Sequence, residues 1–143
     1  MSTETQLDGN SKTVVLVVEG NSHVSELESH FLQRAGYVVE LEPKGNSVLK
    51  RALTLHPDII ITEILVPTLD GLALCRQLKA DPRTRDIAVL IFSILAAAVR
   101  AKEAGADAFL LKPLAERALV DTVRQVLEAR SNRLRRIQHE QRS

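Results

Sequence analysis

Aromatic side chains are scarce: three Phe, one Tyr and no Trp make up 3% of the 143 residues. The core must therefore come from Val, Ile, Leu and Ala, and base stacking on aromatic platforms is disfavoured. A single cysteine, Cys75, excludes an intramolecular disulfide and fits a reducing compartment. No apolar run approaches the roughly 18 residues of a membrane span. The opening MSTETQLDGNSK lacks the apolar stretch of a signal peptide, so residues 1–12 read as a disordered tail and the chain is expected in the cytoplasm. Net charge is only +1, and five Arg with one Glu place +4 of it in residues 130–143, leaving −3 for the body. That body is not a basic nucleic-acid-binding domain.

What is present is an aliphatic pattern. Hydrophobic residues make up 45% of the chain, enough for one domain with a real core. TVVLVV (13–18), YVVELE (37–42), IIIT (59–62), IAVLIF (87–92) and AFLL (108–111) read as strands. Four are nearly all apolar, which suits burial on both faces, while the polar end of 37–42 suits a sheet edge. Between them lie helical patterns. Asn21 or Ser22 caps the first, with Val24, Leu27, Phe31 and Ala35 on its apolar stripe and Gly36 at its end. Val48, Leu49, Ala52, Leu53 and Leu55 mark the second, and Leu72, Leu74, Cys75 and Leu78 the third. An Ala-rich fourth closes at Gly105, and Leu119, Val123, Val126 and Leu127 mark the fifth. Cys75 falls on a core position of its helix.

Five alternations of strand and helix imply a parallel sheet with helices on both faces. Such sheets collect functional groups at the C-terminal ends of their strands. Those ends are Glu19, Glu63, Ser93 and Lys112, each polar directly after an apolar run. Two acids, a hydroxyl and an amine should meet at one rim.

PDIIITEILVPTLDGLALCRQLKADPRTRDIAVLIFS and AGADAFLLKP, in that order, resemble the receiver domain of two-component response regulators. The resemblance covers about residues 13–128. It implies a flavodoxin-like (βα)5 fold, doubly wound, with strand order 2-1-3-4-5, an order the receiver fold is known for. It implies an acidic pair that binds Mg²⁺, an Asp that accepts a phosphoryl group, a Thr or Ser and a Lys that contact it, and an aromatic that changes rotamer with the hydroxyl. The matching positions hold Glu19 and Gly20, Glu63, Ser93, Lys112 and Phe109. Lys112-Pro113 matches the family's cis-peptide position, where an X-Pro bond makes the cis form accessible.

Three departures stand out. Gly20 offers no carboxylate where the family has one. Glu63 adds a methylene, and a displacement of about 1 Å can cost roughly 10²-fold in a positioned transfer. SILAAAVRAKEAG is about three residues shorter than the usual loop and helix, by the ordinary lengths of such connections. The resulting expectation is a pseudo-receiver, a phosphorylation-independent signalling and interaction module with no catalytic residue and no cofactor. Mg²⁺ is expected to bind weakly or not at all, with Glu19 and Glu63 as residual ligands. The alternative is a working phosphoreceiver with relaxed Mg²⁺-dependent chemistry. Glu63 has two readings: a built-in mimic of the phosphorylated state, of charge about −1 against about −2 for a phosphoryl group, or an inert salt bridge to Lys112. Glu19 is expected to pair with Lys112 or meet solvent, and the four histidines, His23 included, lack ligand spacing.

The resemblance places the output face on the fourth helix, fifth strand and fifth helix, with Ile94, Leu95, Val99, Phe109 and Leu119 as contact candidates for a histidine kinase or downstream effector. Residues 130–143 read as a basic extension of the 13–129 domain. A frayed, solvated end is the first reading, and homodimerisation through a short coiled coil the second. EGNSH lacks phosphate-loop spacing and no catalytic triad is evident, so an unrelated enzyme or nucleotide binder is set aside.

Overall fold

The structure, a computed structural model, describes residues 13–142; the expected tail at 1–12 lies outside the described residues. Strands β1 (Val14–Val18), β2 (Val38–Glu42) and β3 (Ile59–Thr62) alternate with helices α1 (Ser22–Arg34) and α2 (Val48–Leu55). After β3 the chain forms a small hairpin, β4 (Leu65–Val66) and β5 (Leu69–Asp70), before α3 (Gly71–Ala80). Strand β6 (Ala88–Ser93), α4 (Ala98–Glu103), β7 (Ala108–Leu111) and α5 (Glu116–Arg142) complete the chain. The five long strands form one parallel sheet in the order β2-β1-β3-β6-β7. This is the flavodoxin-like order expected, with the hairpin as an addition.

The strand period of two sorts the aliphatic residues into two cores. Leu16, Val18, Ile60, Val89 and Ile91 face α2, α3 and α4, where Cys75 and Leu78 are fully buried. Val15, Val17, Ile59, Ile61, Leu90 and Phe92 face α1 and α5. Leu119 belongs to this second core at 0% exposure, which corrects its expected place on the output face. Its helix turns that position toward the sheet together with Val123 and Val126.

Helix α1 is also rotated from its expected phase. Leu27 is 49% exposed, whereas Ser25, Glu28 and Leu32 are buried. Its start is as expected: Asn21 Oδ1 accepts from the His23 and Val24 amides at 3.0 and 3.2 Å. Helix α3 begins beneath the hairpin. Asp70 Oδ1 caps the Leu72 amide at 2.8 Å, and the Gly71 N–H donates to the Ile64 carbonyl at 2.9 Å. A Cβ at Gly71 would lie 2.2 Å from the Glu63 carbonyl oxygen, so this close approach requires glycine. Helix α4 has only six residues, and α5 continues as helix to Arg142 where a frayed end was the first reading.

Candidate functional site

Parallel register brings the strand ends together. The Glu63 amide donates to the Val18 carbonyl at 3.1 Å, and the Lys112 amide to the Ser93 carbonyl at 2.8 Å. Glu19, Glu63 and Ser93 are 5%, 4% and 0% exposed. The four polar residues named from the sequence therefore share one enclosed rim.

Lys112 occupies its centre. Its Nζ lies 2.7 Å from Glu19 Oε1 and 3.0 Å from Glu63 Oε2. The Phe92 ring lies beneath the ammonium, 5.4 Å from Nζ to its centroid. The remaining oxygens also have partners. Glu19 Oε2 accepts from the Asn21 amide at 3.1 Å, and Glu63 Oε1 from the Ile64 amide at 2.6 Å. Glu63 Oε2 accepts a second bond from the Ile94 amide at 3.2 Å. Ser93 Oγ accepts from the Leu95 amide at 3.0 Å.

These contacts set the ionisation states. Burial raises the pKa of Glu63, but hydrogen bonds from Ser93, Lys112 and the Ile64 amide, with the Lys112 charge, outweigh it and leave Glu63 below its usual value. Burial lowers Lys112, but hydrogen bonds to Glu19 and Glu63 and their charges leave it above its usual value. Both groups are held in their charged forms.

Gly20 lies beside this cluster without contributing to it. A Cβ there would stand 3.1 Å from Pro67 Cδ, so the loop between β4 and β5 already fills the space around it. His23 is exposed on the first turn of α1. Phe109 is half-buried against the first core, and the Lys112–Pro113 peptide is cis. Ile94 and Val99 are 63% and 71% exposed, while Leu95 is half-buried. Together with Phe109 and Leu111, residues 96–100 line a groove of about 450 Å³.

Glu28 was not singled out in the sequence. It is 1% exposed, and among the described residues its Oε1 has no hydrogen-bond partner. Burial, with the negative charges of Glu19 and Glu63, raises its pKa to about 8 despite the opposing Lys112 charge. The available signal was spacing: Val24, Glu28 and Leu32 recur every four residues, with an acid in the middle.

The family description "Response regulator receiver domain" matches residues 15–124. The chain belongs to the response regulator receiver family. Among this receiver's relatives is the DNA-binding dual master transcriptional regulator RpaA of Synechocystis. It is 32% identical over 116 residues, which cover 79% of this chain and 48% of the relative. The transcriptional regulatory protein ResD of Bacillus subtilis is 27% identical, over 87% of this chain and 52% of its own length. The receiver thus spans about half the length of the curated relatives it matches. Among solved structures, the receiver domain of a Syntrophus aciditrophicus signal transduction histidine kinase is 35% identical, with a TM-score of 0.76, over 82% of this chain and 91% of that one. The Vibrio cholerae chemotaxis response regulator CheY4 is 25% identical, with a TM-score of 0.75, over 80% of this chain and 98% of that one. No helix among the described residues is long and apolar enough to cross a membrane.

Proposed function

We propose that this receiver is a phosphorylation-independent signalling and interaction module, with Glu63 holding an active-like arrangement in the phosphoacceptor position. The observation that carries this reading is the Lys112 ammonium, 2.7 Å from Glu19 and 3.0 Å from Glu63. It supplies the charge that a metal would otherwise bring to these two acids.

The donor set does not fit Mg²⁺. A hard cation needs near-octahedral oxygens at about 2.0–2.1 Å. Gly20 has none in a side chain, and the oxygens of Glu19 and Glu63 already accept from Lys112 and from backbone amides. Among the described residues, no group of three or more His, Cys, Asp or Glu is arranged to hold a metal ion. Phosphoryl transfer to Glu63 through a metal is therefore not part of this reading.

Two features favour mimicry over an inert salt bridge. Ser93 is fully buried at the rim, and its hydrogen bonding lowers the pKa of Glu63. Glu63 also reaches the Ile94 amide, which ties the site to the segment leading into α4. The proposed partner surface is the exposed apolar face there, with Ile94, Val99 and Leu111 presented to a histidine kinase or downstream effector. Homodimerisation through a short coiled coil of the C-terminal extension is the second reading, and nucleic acid is not a proposed partner.

Incubation with Mg²⁺ and a small-molecule phosphodonor, followed by intact mass measurement, tests the reading. No stoichiometric acid-labile phosphate is expected. Glu63→Asp should gain little phosphate alone and more when combined with Gly20→Asp, provided the Pro67 ring yields to the new side chain. Full phosphorylation of the wild-type chain would establish the working phosphoreceiver instead.

A further inference from the structure

We propose that the cleft between the β4–β5 hairpin and α4 is a binding site for a small apolar monocarboxylate, which pairs with Arg100 and whose occupancy is felt at Glu63 and Ser93. This goes beyond the phosphate-independent reading and holds whether or not phosphate reaches Glu63.

The cleft has the size and lining of such a site. Its volume is about 620 Å³, and small-ligand pockets usually span about 300–1,000 Å³. The hairpin pairs Leu65 with Asp70 and Val66 with Leu69. Ile64 and Val66 are buried in its wall, and the half-buried Leu69 and Leu95 extend the apolar surface. Leu65 adds a side chain that is 59% exposed. An alkyl chain laid here removes aliphatic surface from water on both partners.

The charged groups of the cleft select the ligand. Among the described residues that line it, Arg100 is the cation and Asp70 the acid. The Arg100 guanidinium has no hydrogen bond or ion pair among the described residues. A planar cation unpaired beside apolar surface suits a carboxylate, which it can hold through two parallel bonds. Asp70 already caps the Leu72 amide through Oδ1 at 2.8 Å, and its charge repels a second anionic group. One carboxylate on an apolar body therefore fits, and phosphates and other polyanions do not.

Occupancy reaches the rim through the backbone. The Ile64 amide donates to Glu63 Oε1 at 2.6 Å, and the Leu95 amide to Ser93 Oγ at 3.0 Å. A chain packed on Ile64 and Leu95 bears on the two segments that hold those side chains. Arg100 also lines the groove that residues 96–100 form with Phe109 and Leu111. A guanidinium drawn into the cleft by a carboxylate leaves that groove more apolar. One bound molecule thus links the rim to the α4–β7 groove.

The test is a titration of the full chain with octanoate, followed by NMR at the backbone amides and at Arg100 Nε, with 1-octanol and inorganic phosphate as comparison probes. Octanoate should give saturable shifts at Leu65, Leu69, Leu95 and Arg100, with the Ile64 amide moving in step. Each methylene added from butanoate to octanoate should tighten binding about two- to fourfold. Arg100→Gln should weaken octanoate about tenfold, leave 1-octanol unchanged and remove the octanoate-induced shift at Phe109. Leu65→Asp, at an exposed position, should weaken both octanoate and 1-octanol while the amide spectrum of the fold persists. The proposal is overturned by the absence of a saturable octanoate shift, by a flat chain-length series or by undiminished octanoate binding in Arg100→Gln. It is equally overturned if the shifts centre on the α4–β7 groove, or if inorganic phosphate displaces octanoate at equal concentration. Intact mass after phosphodonor treatment bears only on the Glu63 reading, so the two claims fail separately.

Discussion

Strand β3 carries an acid just beyond each end, and each acid meets a cation from the last third of the chain. At the base, Asp58 Oδ2 accepts from the Val14 amide at 2.9 Å and Oδ1 lies 3.1 Å from Arg130 Nη1. Arg130 Nε also donates to the Asp86 carbonyl at 2.7 Å. The side chains of that pair remain 16% and 33% exposed, one acid to one base. At the top, Glu63 and Glu19 share Lys112 in near-complete burial, and the buried Glu28 carboxyl has an oxygen with no hydrogen-bond partner among the described residues. The base pins α5 to the sheet with balanced, solvent-touched charges. The top holds more acid than base away from water, and such an arrangement responds to any change in charge.

Removing the cation at each end should separate the two regions most sharply. Lys112→Met leaves two buried carboxylates unpaired and should cost about 3–5 kcal/mol of stability at neutral pH. Urea denaturation followed by circular dichroism measures it, and the loss should shrink as pH falls through the carboxylate range. Arg130→Ala should cost only about 1 kcal/mol or less, because water replaces much of the lost pairing. That smaller loss should diminish further at high salt. Equal losses at the two ends would remove the distinction between a structural base and a responsive rim.

The sheet and the rim were legible in the sequence because each aliphatic run stops at a polar residue. Glu19, Glu63, Ser93 and Lys112 follow β-type segments directly, and parallel topology then puts them together. Helix phase was less legible. Counting Leu27 as core and Glu28 as surface follows ordinary residue preferences, yet the structure exposes Leu27 and buries Glu28. That exchange on α1 has no local signature. Leu119 shows the converse, an apolar residue assigned to a surface that its helix turns inward. The β4–β5 hairpin has strands of two residues each, too short to show a period, and the approach of Pro67 to Gly20 joins residues far apart in sequence.

The central claim is that Lys112 occupies the electrostatic role of a metal at this rim. Adding excess Mg²⁺ to the wild-type chain while recording the Gly20, Ile64 and Ile94 amide resonances tests it most directly. No saturable shift is expected at these three amides. A saturable, site-specific shift that also moves the Lys112 side-chain signal would contradict it.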